Sequence, residues 1–206
     1  MALVLPAILP NPTTLRFVIV SNVQTYRSTF NNSTQSIEML GDHFEFSAVW
    51  KILSREQIAP MRAFLTNLRG GITPFEFSDV TQKRPNGTII SDVFVSSAPT
   101  IESLSVYTSM QFNETIFKAG DYISVKMDDG APDEYKMITA DVITDGSGNA
   151  LIPIRPTLRH APTVGVPVVW ANPKGLFVSV ETSSAWQIKS PTIGDSITLN
   201  ATEWMV

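Results

Sequence analysis

One run of strict alternation constrains this chain more than any other feature. Phe44, Phe46, Ala48, Trp50 and Ile52 take turns with His43, Glu45, Ser47, Val49 and Lys51. A period of two places every second side chain on one face, so the aromatic set lies on a single side of an extended segment. A helix would scatter the same rings around its circumference. The segment is read as a half-buried strand, and its aromatic face needs a sheet and a covering layer.

The flanks are consistent with a sheet. Arg16 to Val20 reads as a strand before it. Between the two lies a polar stretch, Ser21 to Ser36, rich in Asn, Thr and Ser. It is long for a turn and is expected to form an extended loop or a protruding hairpin. Two lone aromatics, Tyr26 and Phe30, interrupt it. Aromatics in a polar loop either anchor a subunit interface or fold the loop onto its own domain. Tyr26 and Phe30 are taken as the candidate interface residues.

One helix is expected. Ser54 and Gln57 have capping-box spacing, Ile58, Met61, Phe64, Leu65 and Leu68 recur at three and four, and Gly70-Gly71 supply the stop. Pro60 is expected to kink this helix or to mark its regular start. Such a helix is read as a plug against one face or end of the sheet. Ile72 to Phe77 follows as a strand, with Pro74 suggesting a sheet edge.

Two sharp breaks divide the rest, Lys83-Arg84-Pro85-Asn86-Gly87 and Ala171-Asn172-Pro173-Lys174-Gly175. Between them, Tyr122 to Met127, Tyr135 to Ile143, Ala150 to Arg155 and Gly165 to Trp170 read as strands. Turn signals recur roughly every ten residues, the spacing of a small barrel of five or six strands. After the second break come Leu176 to Glu181, Ala185 to Lys189 and Ile193 to Trp204. Three strands are too few to stand alone. They are expected to complete the first sheet, giving a discontinuous β-sandwich or barrel domain, residues 1–85 and 174–206, around an inserted barrel, residues 86–173.

Composition excludes several functions. With 17% charged residues, against roughly 25% in ordinary soluble domains, the surface has room for contacts with partners. The net charge is −4 and the longest basic cluster is Lys83-Arg84, so nucleic-acid binding is not expected. No cysteine is present, which removes thiol chemistry and thiolate metal sites. Met1 to Pro12 is apolar but lacks a basic region and is broken by Pro6, Pro10 and Pro12. It is read as neither signal peptide nor membrane span, so the protein is expected to be made in the cytoplasm without membrane insertion.

No constellation points to catalysis. His43 lies on the polar phase of its strand, and His160 follows Arg159 in a Pro-bounded loop. Both are read as structural. No nucleophile motif or phosphate-binding loop occurs. Asp128, Asp129, Asp133 and Glu134 surround Gly130, but without EF-hand spacing they read as a solvated hairpin tip. Asp145-Gly146-Ser147-Gly148-Asn149 reads as a tight turn. Trp50 is assigned to the core. Trp170, Trp186 and Trp204 are noted as further aromatics. No catalytic residue, cofactor or metal is expected.

The order of features resembles the distal tail proteins of siphophages, in the short type with an inserted barrel of the oligonucleotide/oligosaccharide-binding (OB) kind. The matching stretches are Phe44-Glu45-Phe46-Ser47-Ala48-Val49-Trp50, then Ser54 to Gly71, then Ile72-Thr73-Pro74-Phe75. In the middle section they are Ala119-Gly120-Asp121-Tyr122-Ile123, Asp145 to Ala150 and Ile154 to Arg159. The resemblance implies a non-catalytic virion protein at the tail tip, a homo-hexameric ring between the tail tube protein and the hub or fibre protein. It implies that strands pair across subunits and that an extended hairpin reaches the neighbour, for which Ser21 to Ser36 is the candidate. The inserted barrel would project outward toward side fibres or cell-surface glycans. Two alternatives stand beside it: another virion structural protein, such as a tube or adaptor subunit, and a carbohydrate-binding β module or small β-barrel enzyme.

Overall fold

The alternating aromatic segment His43–Trp50 lies in the interior of a sheet. The computed structural model describes residues 2–51, 53–97, 99–127, 132–181 and 196–205. The chain opens with β1 (Leu3–Val4) and β2 (Thr14–Val20), makes an excursion through β3 (Val23–Arg27) and β4 (Thr34–Glu38), and returns as β5 (His43–Trp50). Helix α1 (Arg55–Asn67) and β6 (Phe75–Phe77) follow. Then come β7 (Val93–Val95), β8 (Ser103–Thr108), β9 (Thr115–Phe117), β10 (Tyr122–Val125), β11 (Glu134–Ile138), β12 (Val142–Ile143), β13 (Asn149–Arg155) and β14 (Pro167–Val169). The last two strands are β15 (Gly175–Ser179) and β16 (Ile197–Glu203).

Six of these strands form one sheet in the order β1-β6-β15-β16-β5-β2. All its pairings are antiparallel except β1 with β6. Strands β1, β2, β5 and β6, before residue 78, thus share one sheet with β15 and β16, after residue 174, as expected of the terminal strands. Phe44, Phe46, Ala48 and Trp50 are buried, in the phase that alternation predicts. Their rings join Phe75, Phe77 and Phe177 in a cluster in which Phe46 stacks on Phe77 at 4.2 Å between centroids.

Helix α1 covers this cluster. Ile58, Met61, Phe64 and Leu65 are its buried residues, and Phe64 meets Phe75 edge-on at 5.5 Å. The Gln57 side chain accepts a hydrogen bond from the Ser54 backbone N–H at 3.0 Å, as the capping box requires. Pro60 does not mark the start, because the helix begins at Arg55 and runs through Pro60 to Asn67. At its end Gly71 has a φ of +90°, and a Cβ there would lie 2.5 Å from the Ser179 carbonyl oxygen, so only glycine fits.

The edge expected at Pro74 is corrected. Strand β6 lies inside the sheet, between β1 and β15. Pro74 precedes the strand, so its missing N–H costs no ladder bond, while its carbonyl accepts the Leu3 N–H at 2.9 Å. The apolar N-terminal stretch supplies the strand that covers that side.

The remaining large unit is a closed antiparallel barrel of six strands, ordered β10-β11-β13-β8-β7-β14. Its core is aliphatic, built from Val93, Val95, Leu104, Val106, Ile123, Val125, Ile138, Ile152, Ile154 and Val168. Ile116, Phe117 and Val142, from the small β9-β12 sheet, close it. The segment read as one strand from Tyr135 to Ile143 splits into β11 and β12, with exposed Thr139 to Asp141 between them. The expected strand Ala185 to Lys189, Trp186 and the Asp128-Asp129-Gly130 tip lie outside the described residues.

The two breaks meet, because the Asn172 N–H bonds the Lys83 carbonyl at 2.7 Å. The chain therefore enters and leaves the barrel at one place. Buried Asp121 ties the entry down. It accepts the Asn86 N–H at 2.8 Å, the Gln82 amide at 2.8 Å and the Lys118 N–H at 2.7 Å.

Candidate functional site

Strands β3 and β4 form a separate two-stranded hairpin in register Val23↔Glu38 to Arg27↔Thr34. Every residue from 21 to 40 is exposed except Ser28, which is half-buried. The protruding hairpin expected over Ser21 to Ser36 is thus formed, and it reaches slightly further. Tyr26 is 52% exposed and Phe30, at the tip, is fully exposed. Ile37, Met39 and Leu40 are exposed as well. Phe30 is not folded onto its own domain, whereas Tyr26 is about half covered.

An isolated two-stranded hairpin is marginal in water. This arm has local support. Thr25 and Ser36 face each other at 3.1 Å between hydroxyls. The turn closes through Ser28 N–H to the Ser33 carbonyl at 2.8 Å, and Asn32 takes a φ of +54°. At the root, the Met39 N–H bonds the Asn22 carbonyl at 2.7 Å, and the Asn22 amide bonds the Leu40 carbonyl at 2.9 Å.

Beneath the arm, sheet and barrel share a wall. Residues alternate along β11, so Tyr135 and Met137 turn out onto the aromatic cluster while Glu134, Lys136 and Ile138 turn into the barrel. Tyr135 packs 5.3 Å from Phe44 and stacks on Tyr122 at 5.1 Å. Burial pushes both phenols above their ordinary pKa, Tyr135 the further. Gly175 permits this contact, because a Cβ there would lie 2.8 Å from the Tyr135 Cβ.

The inward charges of β11 are paired and buried. Lys136 donates to Glu134 at 2.7 Å and to the Thr157 carbonyl at 2.8 Å, with none of its surface exposed. Glu134 also accepts the backbone N–H of His160 at 2.9 Å and that of Arg159 at 3.1 Å. Burial pushes the Glu134 carboxyl up. The Lys136 ammonium and the Arg159 N–H outweigh it and hold the group below the usual carboxylate range. Burial pulls the Lys136 ammonium down, against the raising pull of Glu134 and Glu203.

Two further links cross from barrel to sheet. Glu203 of β16 pairs with Arg159 and accepts the Phe44 N–H at 3.0 Å, where the β5–β16 ladder has ended. Buried Asp42, between arm and β5, accepts the Thr157 N–H at 2.8 Å and the Thr157 hydroxyl. Arg155 of β13 donates to Glu38 at 2.6 Å and to Glu102 at 2.9 Å, and lies 3.7 Å from Asp42.

The other sequence-level candidates fall in place. Half-buried His43 contacts the Gly41 carbonyl at 2.9 Å, and His160 contacts Glu134 at 3.1 Å. The reading of Glu134 as part of a solvated tip is corrected, since Asp133 is exposed but Glu134 is buried in the barrel. Strand phase turns it inward, and Lys136 two residues on neutralises it. Asp145 makes the tight turn, accepting the Ser147 and Asn149 N–H groups at 2.8 and 2.9 Å. Trp50 is core, Trp170 bonds the Ser91 carbonyl through its indole at 3.1 Å, and Trp204 is half-buried. A cleft of about 400 Å³ between β15 and the barrel is lined by Glu76, Ser124, Lys126, Asn172 and Lys174. The Lys174–Glu76 ion pair at 2.7 Å lies in it. Among the described residues, no three His, Asp or Glu side chains are grouped to hold a metal ion.

Sequence reasoning located the arm and missed the junction. Asp42, Glu134, Lys136, Arg155, Arg159 and Glu203 come from distant parts of the chain. Only Glu134-x-Lys136 carried a local signal, opposite charges two apart on one strand face. No family model matches the chain, and no curated protein matches its sequence.

Proposed function

We propose that this chain is a non-catalytic structural subunit of a siphophage tail tip, a distal tail protein that assembles as a homo-hexameric ring joining the tail tube to the hub. The carrying observation is the arm. Residues 21–40 form a hairpin with no fully buried residue, which leaves Phe30 wholly exposed and Val23, Tyr26, Ile37, Met39 and Leu40 about half exposed or more. Exposed apolar groups gathered on a protrusion are characteristic of a contact surface. A ring needs a patch and a different, complementary patch on each subunit, and a projecting arm supplies one of them.

The tail-tip assignment rests on the resemblance in element order. The sheet with one covering helix and the small closed barrel between its two chain segments support that reading. In the same reading the barrel projects outward.

Light scattering across a concentration series, with negative-stain imaging, tests the proposal. The expected result is a closed six-membered ring. Tyr26→Ala combined with Phe30→Ala lowers the assembled fraction while the monomer stays folded. A chain that remains monomeric at every concentration sinks the proposal, and stacking into open tubes favours a tube subunit.

A further inference from the structure

The arm meets the rest of the subunit through one barrel side chain in particular. Paired residues of an antiparallel hairpin share a face. Val23 with Glu38, Thr25 with Ser36 and Arg27 with Thr34 therefore form one face of the arm. Gln24 with Ile37 and Tyr26 with Gln35 form the other. The Arg155 guanidinium grips Glu38 with both terminal nitrogens, at 2.6 and 3.4 Å. The Glu38 side chain thus points to the barrel, and Tyr26 and Ile37 lie on the opposite face of the hairpin; both faces are exposed, Val23 to 46% and Ile37 to 49%.

Arg155 is itself held. It pairs with Met137 in the barrel ladder, and the same nitrogen that reaches Glu38 at 3.4 Å donates to Glu102 at 2.9 Å. Asp42, four residues beyond Glu38, is fixed by Thr157, two residues beyond Arg155. The short segment joining arm to sheet is therefore pinned at two points by one stretch of barrel. A planar fork between carboxylates sets direction as well as distance.

We infer that Arg155 is a positioning residue for the arm: by clasping Glu38 it sets which face of the hairpin is offered, and it offers the Tyr26–Ile37 face to a second copy of this chain. The choice of a second copy rests on the proposed ring, whereas the clasp itself is a property of the single subunit. It makes the barrel part of the assembly machinery, because a barrel strand orients a contact that the barrel does not make.

The test uses the full chain. Its lack of cysteine lets spin labels be placed cleanly at Thr29→Cys on the arm and Lys118→Cys on the barrel, both exposed. Electron–electron distance measurements on dilute protein are expected to give a narrow distribution that broadens in Arg155→Ala and partly recovers in Arg155→Lys. Glu38→Gln weakens the same contact from the exposed end and broadens it too, which covers the case that Arg155→Ala fails to fold. In the assembly assay Glu38→Gln raises the half-assembly concentration by up to about fivefold, the ceiling for one exposed ion pair, and Arg155→Ala, which also gives up Glu102 and Asp42, by at least as much. A distribution of unchanged width in both variants overturns the inference. If the wild type never assembles while the variants still broaden the distribution, the ring reading fails and the clasp stands.

Discussion

The arm and the junction beneath it are both rich in polar groups and use them in opposite ways. In the arm, Gln24, Thr25, Gln35 and Ser36 stay in water, and the hairpin is held by its own ladder and turn. In the junction, Glu134, Lys136, Asp42 and Glu203 are buried and almost entirely paired across elements. Loss of a polar group from the arm leaves water to take its place. Loss of one from the junction strands its partner in a low-dielectric interior. The chain thus combines a base whose polar groups are buried and paired with an exposed projection, and Arg155 links the two.

The largest expected effect probes the base as a whole. Excising residues 86–172 removes Tyr122, Tyr135 and Met137 from the aromatic cluster and takes Arg159 from Glu203. The remaining sheet is expected to be insoluble or to lack a cooperative melt by circular dichroism. A soluble product with a sharp transition would show that the wall at β11 is dispensable.

Next in size is Lys136→Met, which leaves the Glu134 carboxylate buried without its cation. Urea denaturation should register a loss of about 3–5 kcal/mol, with Glu134→Gln/Lys136→Met less destabilised than the single change. Equal losses in the two variants would mean that packing, not charge, dominates at the site.

Acid should act on the base in the same sense. The Glu134 carboxyl is held below its ordinary value in the fold, so the unfolded chain binds its proton more readily. Its contribution is fully present above the unfolded carboxylate pKa and is lost as pH falls through the lower folded value. Urea midpoints measured between neutral pH and the acid range should fall on that descent, and Glu134→Gln should flatten it.

The smallest effect belongs to the arm. Tyr26→Ala with Phe30→Ala should change the monomer's unfolding free energy by no more than about 0.5 kcal/mol, as expected for exposed positions. A larger loss would place these rings in a folded core and erase the contrast.

Where the chain's own periodicity spoke, the fold was legible. The β5 aromatics, the α1 stripe with its Ser54–Gln57 cap and four of the six barrel strands, β10, β11, β13 and β14, rest on local patterns, whereas β7 and β8 were not read from the sequence. The arm was legible because a long polar stretch with two isolated rings has no buried phase to offer. Strand β1 was hidden because two residues cannot show a period, and β6 was misplaced because Pro74 precedes the strand rather than lying in it.

By itself the sequence determined the mainly β class, helix α1 and the return of β15 and β16 to the first sheet, while it left open whether the rings of the polar stretch are exposed or folded in. Each follows from interactions between near neighbours or from simple strand counting. Only the tertiary structure decided that β11 is buried on both faces, that Glu134 belongs to the barrel interior and not to a solvated tip, and that Arg155 clasps Glu38 across 117 residues of chain. Those outcomes depend on which elements meet, and a charge or a tyrosine carries no local mark of the distant group that will neutralise or cover it.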